Sequence, residues 1–367
     1  MSEQADAGPT GAGDMTGAAP AGAGDMTGAA PAGAGDMSDA APAVGDRCGR
    51  GPRRFADRER LGGLVREVFG PGRRLAGVDR LRGGSSKGVY RLSFDSGPSV
   101  VLYVWSEEEN FWDTAARDTE PSGLRLFEAA HARLSSLGVR VPRLHFADAG
   151  HEHYPADVAL IEDVRGGTLE ERLGRDPKAL DRLAGSLRAM AGCRSPELGR
   201  VALVESGQGL RRSCPELVLE WALRDLAEAA SRVVTIGRAR EALEEKAREL
   251  AARVEPRSDH GLIHGELGPD HVLMDEHDEP VLIDIEGTMF FDVEWEHVFL
   301  RIRFHDHYAA LRVDGLDERR LRFYRLAQHL SLVAGPLRLL DGDFPDREFM
   351  LGIARQHTEE ALGFLRT

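Results

Sequence analysis

Three residues in one short stretch, Glu266, His271 and Asp284, have the spacing of a phosphoryl-transfer site, although two of the three are of another residue type than such sites usually have. Glu266 lies in a polar loop that begins at His264, and Asp284 directly follows the apolar run 281–283. Such sites place an acid beside the acceptor hydroxyl, a metal-binding residue five positions later, and a further acid that holds a divalent cation near the phosphates. The sequence therefore predicts that Glu266 positions an acceptor and that Asp284 binds a metal ion.

The metal-binding position five residues after Glu266 is a histidine. Magnesium prefers oxygen ligands, whereas the imidazole of His271 suits manganese or another transition ion better. The neighbouring Asp270 could supply the missing oxygen, and Glu286 is a candidate for a further metal ligand. A local hydrogen bond without any metal is an equally open interpretation of His271. We group His264 with Glu266 as a catalytic residue and expect it to brace the loop through backbone hydrogen bonds.

A glycine-rich turn just before residue 89 is the candidate phosphate-binding segment. Glycines let backbone N–H groups approach anionic oxygens, and serines add hydroxyl donors. The candidate residues of the turn are Gly83, Gly84, Ser85, Ser86, Lys87 and Gly88. The strand predicted at 100–105 contains no lysine that could bind the phosphates of a nucleotide. We therefore expect Lys87 of the turn, or Arg91 of the preceding strand, to reach the same volume.

Hydrophobic patterns divide the chain into a strand-rich first half and a helix-rich second half. The first half is predicted to contain helices at 55–69 and 121–137 and strands at 89–94, 100–105, 143–147 and 158–161. The second half is predicted to contain helices at 168–173, 179–190, 216–230, 238–254, 293–304, 316–332 and 346–365. This pattern predicts an α+β fold of two lobes with a cleft between them. The N-lobe, residues 53–163, would lie on the nucleotide side, and the C-lobe, residues 164–367, would hold the catalytic loop, the metal site and the substrate side.

The order of these features resembles the aminoglycoside phosphotransferase and choline kinase-like family of small-molecule kinases. The resemblance extends over about residues 75–310 and is most specific between Leu262 and Glu296. It implies a two-lobed protein-kinase-like fold with a small strand-rich N-lobe and a larger, mainly helical C-lobe. It also implies an enzyme that transfers the γ-phosphate of ATP or GTP, with Mg²⁺ or Mn²⁺, to a hydroxyl of a small molecule.

The resemblance also implies roles for residues outside the loop. Glu128 lies in the helix where the family places the acidic partner of its lysine, although exposure to solvent is the alternative interpretation. Glu162 and Val164 lie in the connector between the halves and are implied in nucleotide binding. Asp292 and Glu296 resemble a second acidic motif that supports the catalytic loop in the family. An ordinary helix start is the other interpretation of these two acids, because acids favour the first turn of a helix.

Two other functions stay open at this point. The family usually has aspartate at position 266, asparagine at position 271 and a lysine on the strand after the glycine-rich turn. These three departures are compatible with a nucleotide-binding regulatory protein that has lost phosphotransfer. A zinc hydrolase that uses His264, Glu266 and His271 is a further alternative. However, the deaminase signature that begins with H-x-E needs a later P-C-x-x-C, and no cysteine follows Cys214.

The bulk composition limits the partners and the location of the protein. The chain has 367 residues, a formal net charge of −14 and three cysteines without a C-x-x-C pair. It has no basic block for nucleic acid, no apolar run near the roughly 18 residues that span a bilayer, and no secretory signal at its N-terminus. We therefore expect a cytoplasmic protein that binds neither nucleic acid nor membrane. Three copies of a Gly/Ala/Pro-rich unit within residues 11–43 predict a disordered tail over 1–52, which could tether an unknown protein partner.

Overall fold

The computed structural model describes residues 55–81, 84–112 and 121–366. The tail predicted over 1–52 and Gly83 of the glycine-rich turn lie outside these ranges. Within them, no helix is both long and apolar enough to cross a membrane.

An antiparallel sheet forms the first lobe. Helix α1 (Arg58–Phe69) precedes the strands β1 (Leu75–Arg80), β2 (Gly88–Phe94) and β3 (Val100–Trp105), which are followed by helix α2 (Gly123–Ser136) and by strands β4 (Leu144–Asp148) and β5 (Asp157–Glu162). Among the described residues the strand order in this sheet is β1-β2-β3-β5-β4, with each neighbouring pair antiparallel.

Strand β3 is central to this lobe and is buried on both faces. Leu102 packs with Tyr90 of β2 against helix α1, whereas Tyr103 packs against Phe127 of helix α2. Apolar and β-branched residues suit such a strand because side chains on both of its faces contact neighbours. The two faces of the sheet therefore join two separate hydrophobic cores, and the face that carries Tyr103 belongs to the core that continues into the second lobe.

Helices and short strands form the second lobe. In chain order its elements are α3 (Pro177–Gly192), β6 (Arg194–Ser195), β7 (Gly199–Arg200), α4 (Val201–Glu205), α5 (Cys214–Arg232), α6 (Val234–Ala251), β8 (His260–Ile263), β9 (Val272–Met274), β10 (Pro280–Leu282), β11 (Met289–Phe291), α7 (Val293–Phe304), α8 (Glu318–Leu339) and α9 (Arg347–Gly363). Strands β9 and β10 pair as a hairpin, and β11 pairs with β8 at the centre of a small sheet in the order β6-β8-β11-β7. Helices α5 and α6 pack with α8 over this sheet.

The two-lobed α+β prediction is confirmed: the N-terminal region is rich in strands and the C-terminal region is mainly helical. The helix predicted at 168–173 is wrong, because only Glu170–Arg172 form a short 3₁₀ turn. The backbone N–H of Leu169 donates to the carbonyl of Val272 at 2.7 Å, so this segment is tied to β9 instead. Strands β1, β6, β7 and β11 and helix α4 have no counterpart in the prediction.

Candidate active site

A buried carboxylate holds the loop that contains Glu266. Glu296, in the first turn of α7, is 2% exposed and accepts hydrogen bonds from the backbone N–H groups of Gly265 at 2.8 Å and Leu267 at 3.2 Å. Gly265 has a φ of 98°, a conformation that side chains disfavour. The two bonds flank Glu266 on either side and fix the path of the backbone at this residue.

His264 joins this loop to the segment that ends at Asp284. Its Nε2–H donates to the carbonyl of Ile283 at 2.9 Å. Burial, together with the neighbouring His271, lowers the pKa of His264 to about 4, so the imidazole is neutral near pH 7. A neutral imidazole with this bond acts as a brace, which is the role expected from the sequence.

His271 contacts both the loop and the acid at its far end. Its Nδ1–H donates to the backbone carbonyl of Glu266 at 2.8 Å, which leaves a lone pair on Nε2. Nε2 lies 3.7 Å from Oδ2 of Asp284 and 3.8 Å from Oδ2 of Asp270. The other oxygen of Asp270 accepts a bond from Arg303 at 2.8 Å. Nε2 of the imidazole therefore points toward the carboxylate oxygens of Asp270 and Asp284.

Lys87 of the N-lobe turn lies between two acids of the C-lobe. Its Nζ is 2.6 Å from Oδ1 of Asp284 and 2.6 Å from Oε1 of Glu286. Burial alone would lower the pKa of Lys87, but the two carboxylates raise it above its usual range, so the ammonium stays charged. Burial opposes ionisation of Asp284 as well, but Lys87, together with His271 and His264, more than offsets this and holds the pKa of Asp284 below its usual range. Burial raises the pKa of Glu286, and the adjacent Asp284 adds to the increase.

The predicted metal ligands meet at Asp284: Nε2 of His271 lies 3.7 Å from it, and Glu286 shares the ammonium of Lys87 with it. Within the described residues, Nε2 of His271 and Oε2 of Glu286 are buried without a partner, whereas Oε1 of Glu286 contacts the ammonium of Lys87. Buried polar atoms are normally satisfied, and clustered exceptions indicate a place where an ion or ligand binds. Together with Asp284 these atoms form a mixed oxygen and nitrogen donor set, which suits Mg²⁺ less well than Mn²⁺.

The segment after β3 packs against the glycine-rich turn and supports it. Gly84 has a φ of 83°, and a side chain at Gly88 would collide with the carboxylate of Glu109. Ser85 is buried, and its hydroxyl accepts a hydrogen bond from the indole N–H of Trp112 at 2.8 Å. Ser86 is half-buried on the same turn. The serine hydroxyl at position 85 therefore contributes to anchoring the turn.

We call Asp284, Glu286 and the neighbouring His271 the acid cluster. Four other predicted site residues lie away from it. Arg91 forms a bidentate ion pair with Asp163 at 2.9 and 3.0 Å, so its guanidinium is directed to the connector between the lobes. Glu162 accepts two bonds of 2.8 Å from Arg140 at the same connector. Val164 is buried beside it, whereas Glu128 is exposed on α2. In the described part of the chain, the acids that contact Lys87 are Asp284 and Glu286, and the ion pair with Glu128 considered from the family resemblance is not formed.

Glu266 lies at a small pocket in the C-lobe. The pocket has a volume of about 10 Å³, about that of one water molecule, and its walls come from the loop and from helices α7 and α8. The lining residues are Gly265, Glu266, Trp295, Phe299, Gln328, Ser331 and Leu332. Two aromatic rings, an amide and a hydroxyl thus surround the approach to this carboxylate.

The sequence analysis missed Glu109, Trp112 and Tyr103. Glu109 is 1% exposed, accepts a bond from Arg80 at 3.0 Å and contacts the hydroxyl of Tyr90. The ring of Tyr103 lies 4.8 Å from the ammonium of Lys87. No local motif marks these residues, and the only available signal was the position of Tyr103 on the strand where a lysine was expected.

Comparison with known proteins identifies the family. The model of the phosphotransferase enzyme family, APH, matches residues 78–335. The chain belongs to this family. A comparison with curated proteins gives no significant sequence match.

Solved structures with the same fold include three small-molecule phosphotransferases. Spectinomycin phosphotransferase APH(9)-Ia, in complex with ADP and spectinomycin, has a TM-score of 0.62 and 13% identity, and the match covers 86% of this chain and 100% of that one. A thermostable mutant of aminoglycoside phosphotransferase APH(4)-Ia has a TM-score of 0.57 and 17% identity, with 84% and 100% coverage. Choline kinase LicA from Streptococcus pneumoniae has a TM-score of 0.56 and 12% identity, with 83% and 98% coverage. At these identities the likeness establishes the fold.

Proposed function

We propose that this protein is an ATP-dependent phosphotransferase that transfers the γ-phosphate to a hydroxyl of a small molecule. The observation that supports this proposal best is the meeting of Lys87 with Asp284 and Glu286 beside the loop of Glu266. Membership of the phosphotransferase family points to the same chemistry. A cytoplasmic location and a tethering role for the N-terminal repeats stay predictions.

The N-lobe turn and the acid cluster would bind the nucleotide phosphates together. Lys87 would contact phosphate oxygens through its ammonium, and the backbone N–H groups of the turn would add further donors. Asp284, Glu286 and His271 would hold Mg²⁺ or Mn²⁺. When bound, this cation supplies positive charge that neutralises the phosphate oxygens.

Glu266 would position the acceptor. Its carboxylate can accept a hydrogen bond from a substrate hydroxyl and orient the oxygen for in-line attack. The Glu296 carboxylate fixes the loop on both sides, which compensates in part for the longer side chain at a position where the family usually has aspartate. Trp295 and Phe299 adjoin this carboxylate and would contact the carbon skeleton of a small hydroxylated molecule.

The regulatory alternative rests on the missing strand lysine and on the changes at positions 266 and 271. The first departure has a structural substitute, because Lys87 reaches the acid cluster from the turn. His271 also has a lone pair directed toward Asp284. This lone pair can take the place of the one that an asparagine oxygen would supply. These contacts favour retained phosphotransfer.

A transfer assay tests the proposal. The full chain would be incubated with γ-labelled ATP or GTP, with Mg²⁺ or Mn²⁺, and with aminoglycosides, aminocyclitols, choline and sugars as candidate acceptors, and products would be identified by mass spectrometry. We expect acceptor-dependent transfer, and a loss in kcat on the order of 10²–10⁴ for Glu266→Gln with nucleotide affinity unchanged. Nucleotide binding without transfer under both metal ions would support the regulatory alternative. Absence of nucleotide binding would reject both.

A further inference from the structure

A second group of metal-ligating side chains lies in the C-lobe, apart from the acid cluster. Cys214 is the first residue of α5, His260 is the first residue of β8, and Asp292 precedes α7. Their exposed fractions are 1%, 2% and 1%. One potential ligand atom from each lies within 4.8 Å of the others. Residues from three separate elements thus converge in a fully buried position.

The distances between these atoms suit tetrahedral zinc. Sγ of Cys214 lies 3.4 Å from Nδ1 of His260, and this nitrogen lies 3.6 Å from Oδ1 of Asp292. Zinc binds sulfur at about 2.3 Å and nitrogen or oxygen at about 2.0–2.2 Å. Tetrahedral angles with these bond lengths place neighbouring ligand atoms about 3.3–3.6 Å apart.

Asp292 also has an oxygen without a partner. Its Oδ2 accepts hydrogen bonds from Arg320 and from the hydroxyl of Tyr324. Its Oδ1 is buried and has no hydrogen-bond partner within the described residues. This is the oxygen that faces His260, so the unsatisfied atom points into the cluster. An unsatisfied buried carboxylate oxygen is costly unless a ligand or ion completes its contacts.

We propose that Cys214, His260 and Asp292 bind a structural zinc ion. The thiolate and the carboxylate would balance its two positive charges, and a water molecule would complete the tetrahedron. Burial raises the pKa of the Cys214 thiol, so binding must break the S–H bond, form the Zn–S bond and release the proton to solvent.

The position of the cluster gives the ion a structural role. Strand β8, which begins at His260, leads directly into the loop of Glu266, and helix α7 after Asp292 carries Glu296, which holds that loop. A zinc ion would join these two elements to the start of α5. The competing arrangement is metal-free, with the thiol of Cys214 donating to Nδ1 of His260.

Metal analysis separates the two arrangements. The full chain would be expressed with zinc, dialysed against excess Mg²⁺ and measured by mass spectrometry of the metals. We expect about one zinc per chain in the wild type, and at least a tenfold loss in Cys214→Ser. Cys193→Ser is the matched control, because Cys193 lies outside the cluster, and it should keep the ion. Asp284→Asn should also keep it, which distinguishes this site from the proposed catalytic metal and makes the result independent of the proposed function.

Cobalt spectroscopy covers the case in which Cys214→Ser fails to fold. In the double variant Cys48→Ser/Cys193→Ser, Cys214 is the one remaining cysteine of the chain. Added Co²⁺ should produce a thiolate-to-metal charge-transfer band and the visible bands of tetrahedral cobalt, with zinc displacing both. Zinc below a tenth of an equivalent in the wild type, or a folded double variant without the charge-transfer band, would overturn the proposal in favour of the metal-free hydrogen bond.

Discussion

Asp284 and Glu286 form one pair of acids, and Asp292 and Glu296 form a second pair that begins eight residues later. The two pairs have opposite surroundings. Asp284 and Glu286 share one ammonium, that of Lys87, and Oε2 of Glu286 lacks a hydrogen-bond partner within the described residues. Glu296 accepts two backbone bonds, and Oδ2 of Asp292 accepts from Arg320 and Tyr324. The first pair has coordination capacity left for a ligand, whereas the second pair is mostly occupied by the protein itself.

This difference suggests that the first pair binds ligands and that the second pair supports the fold. Buried carboxylates with few partners weaken a fold and persist where a bound ligand completes their contacts. Carboxylates paired with a buried guanidinium and with backbone N–H groups hold elements together. Substitutions in the first pair should therefore reduce activity more than stability, and those around Asp292 should do the reverse.

Asp284→Asn should have the largest effect on activity. We expect kcat/KM to fall by about 10³-fold or more, because the variant removes a metal-binding charge. The free energy of unfolding should change by less than about 1 kcal/mol, since asparagine tolerates the left-handed backbone at this position (φ 59°) and Glu286 still pairs with Lys87. Steady-state kinetics and denaturant unfolding measure the two quantities.

Asp278→Asn is the matched control for this comparison. Asp278 has nearly the same φ, 57°, but it lies exposed in the turn between β9 and β10, where it pairs with Arg172. This variant should keep its activity. A large loss of stability in Asp284→Asn would show that the first pair supports the fold after all.

Arg320→Met should have the largest effect on stability. The guanidinium is 2% exposed, and its removal takes away the ion-pair partner of the buried Asp292 charge, which the Tyr324 hydroxyl and His260 do not replace. Loss of one partner of a buried ion pair costs about 3–5 kcal/mol, which denaturant unfolding would detect. Well below the unfolding midpoint, kcat should stay close to the wild-type value. The exposed neighbour Arg319→Met should change stability by less than about 0.5 kcal/mol, and equal effects of the two variants would contradict the assignment.

Lys87→Met tests whether the turn replaces the missing strand lysine. We expect kcat/KM for ATP to fall on the order of 10²–10³-fold, because the ammonium contacts the charge that develops during transfer. The exposed Lys178→Met is the control and should have no effect. Because the ring of Tyr103 on β3 lies 4.8 Å from this ammonium, Lys87→Met/Tyr103→Lys should recover about tenfold of the loss if it folds. Wild-type kinetics in the single variant would exclude a role in phosphate binding.

Short-range patterns predicted the parts of the molecule that local sequence determines. The spacing of His271 and Asp284 indicated that these two side chains lie close together, because the hairpin of β9 and β10 connects them and holds them 3.7 Å apart. The helix predicted at 293–304 agrees with α7 for the same reason, since its boundaries depend on neighbouring residues.

Long-range contacts set the features that the sequence analysis missed. Arg91 pairs with Asp163 instead of joining the acid cluster, because β2 and the connector become neighbours only in the folded sheet. The support of the turn by Glu109 and Trp112 likewise depends on how the segment after β3 folds back. Strand β1 is largely exposed and contains a glycine and two charges, so it lacks the alternation that indicates a strand.

Glu296→Gln should have the smallest effect, and it sharpens the comparison because Glu296 supports the fold and positions the catalytic loop. Glutamine keeps one acceptor oxygen, so one of the two bonds to Gly265 and Leu267 is lost, at a cost of about 1–2 kcal/mol. We expect kcat to fall about tenfold while the KM for ATP is unchanged, since the loop orients the acceptor and not the nucleotide. The exposed Glu359→Gln is the control. If kcat per folded molecule stayed at the wild-type value, Glu296 would be a purely structural residue, and the division between the two pairs of acids would be complete.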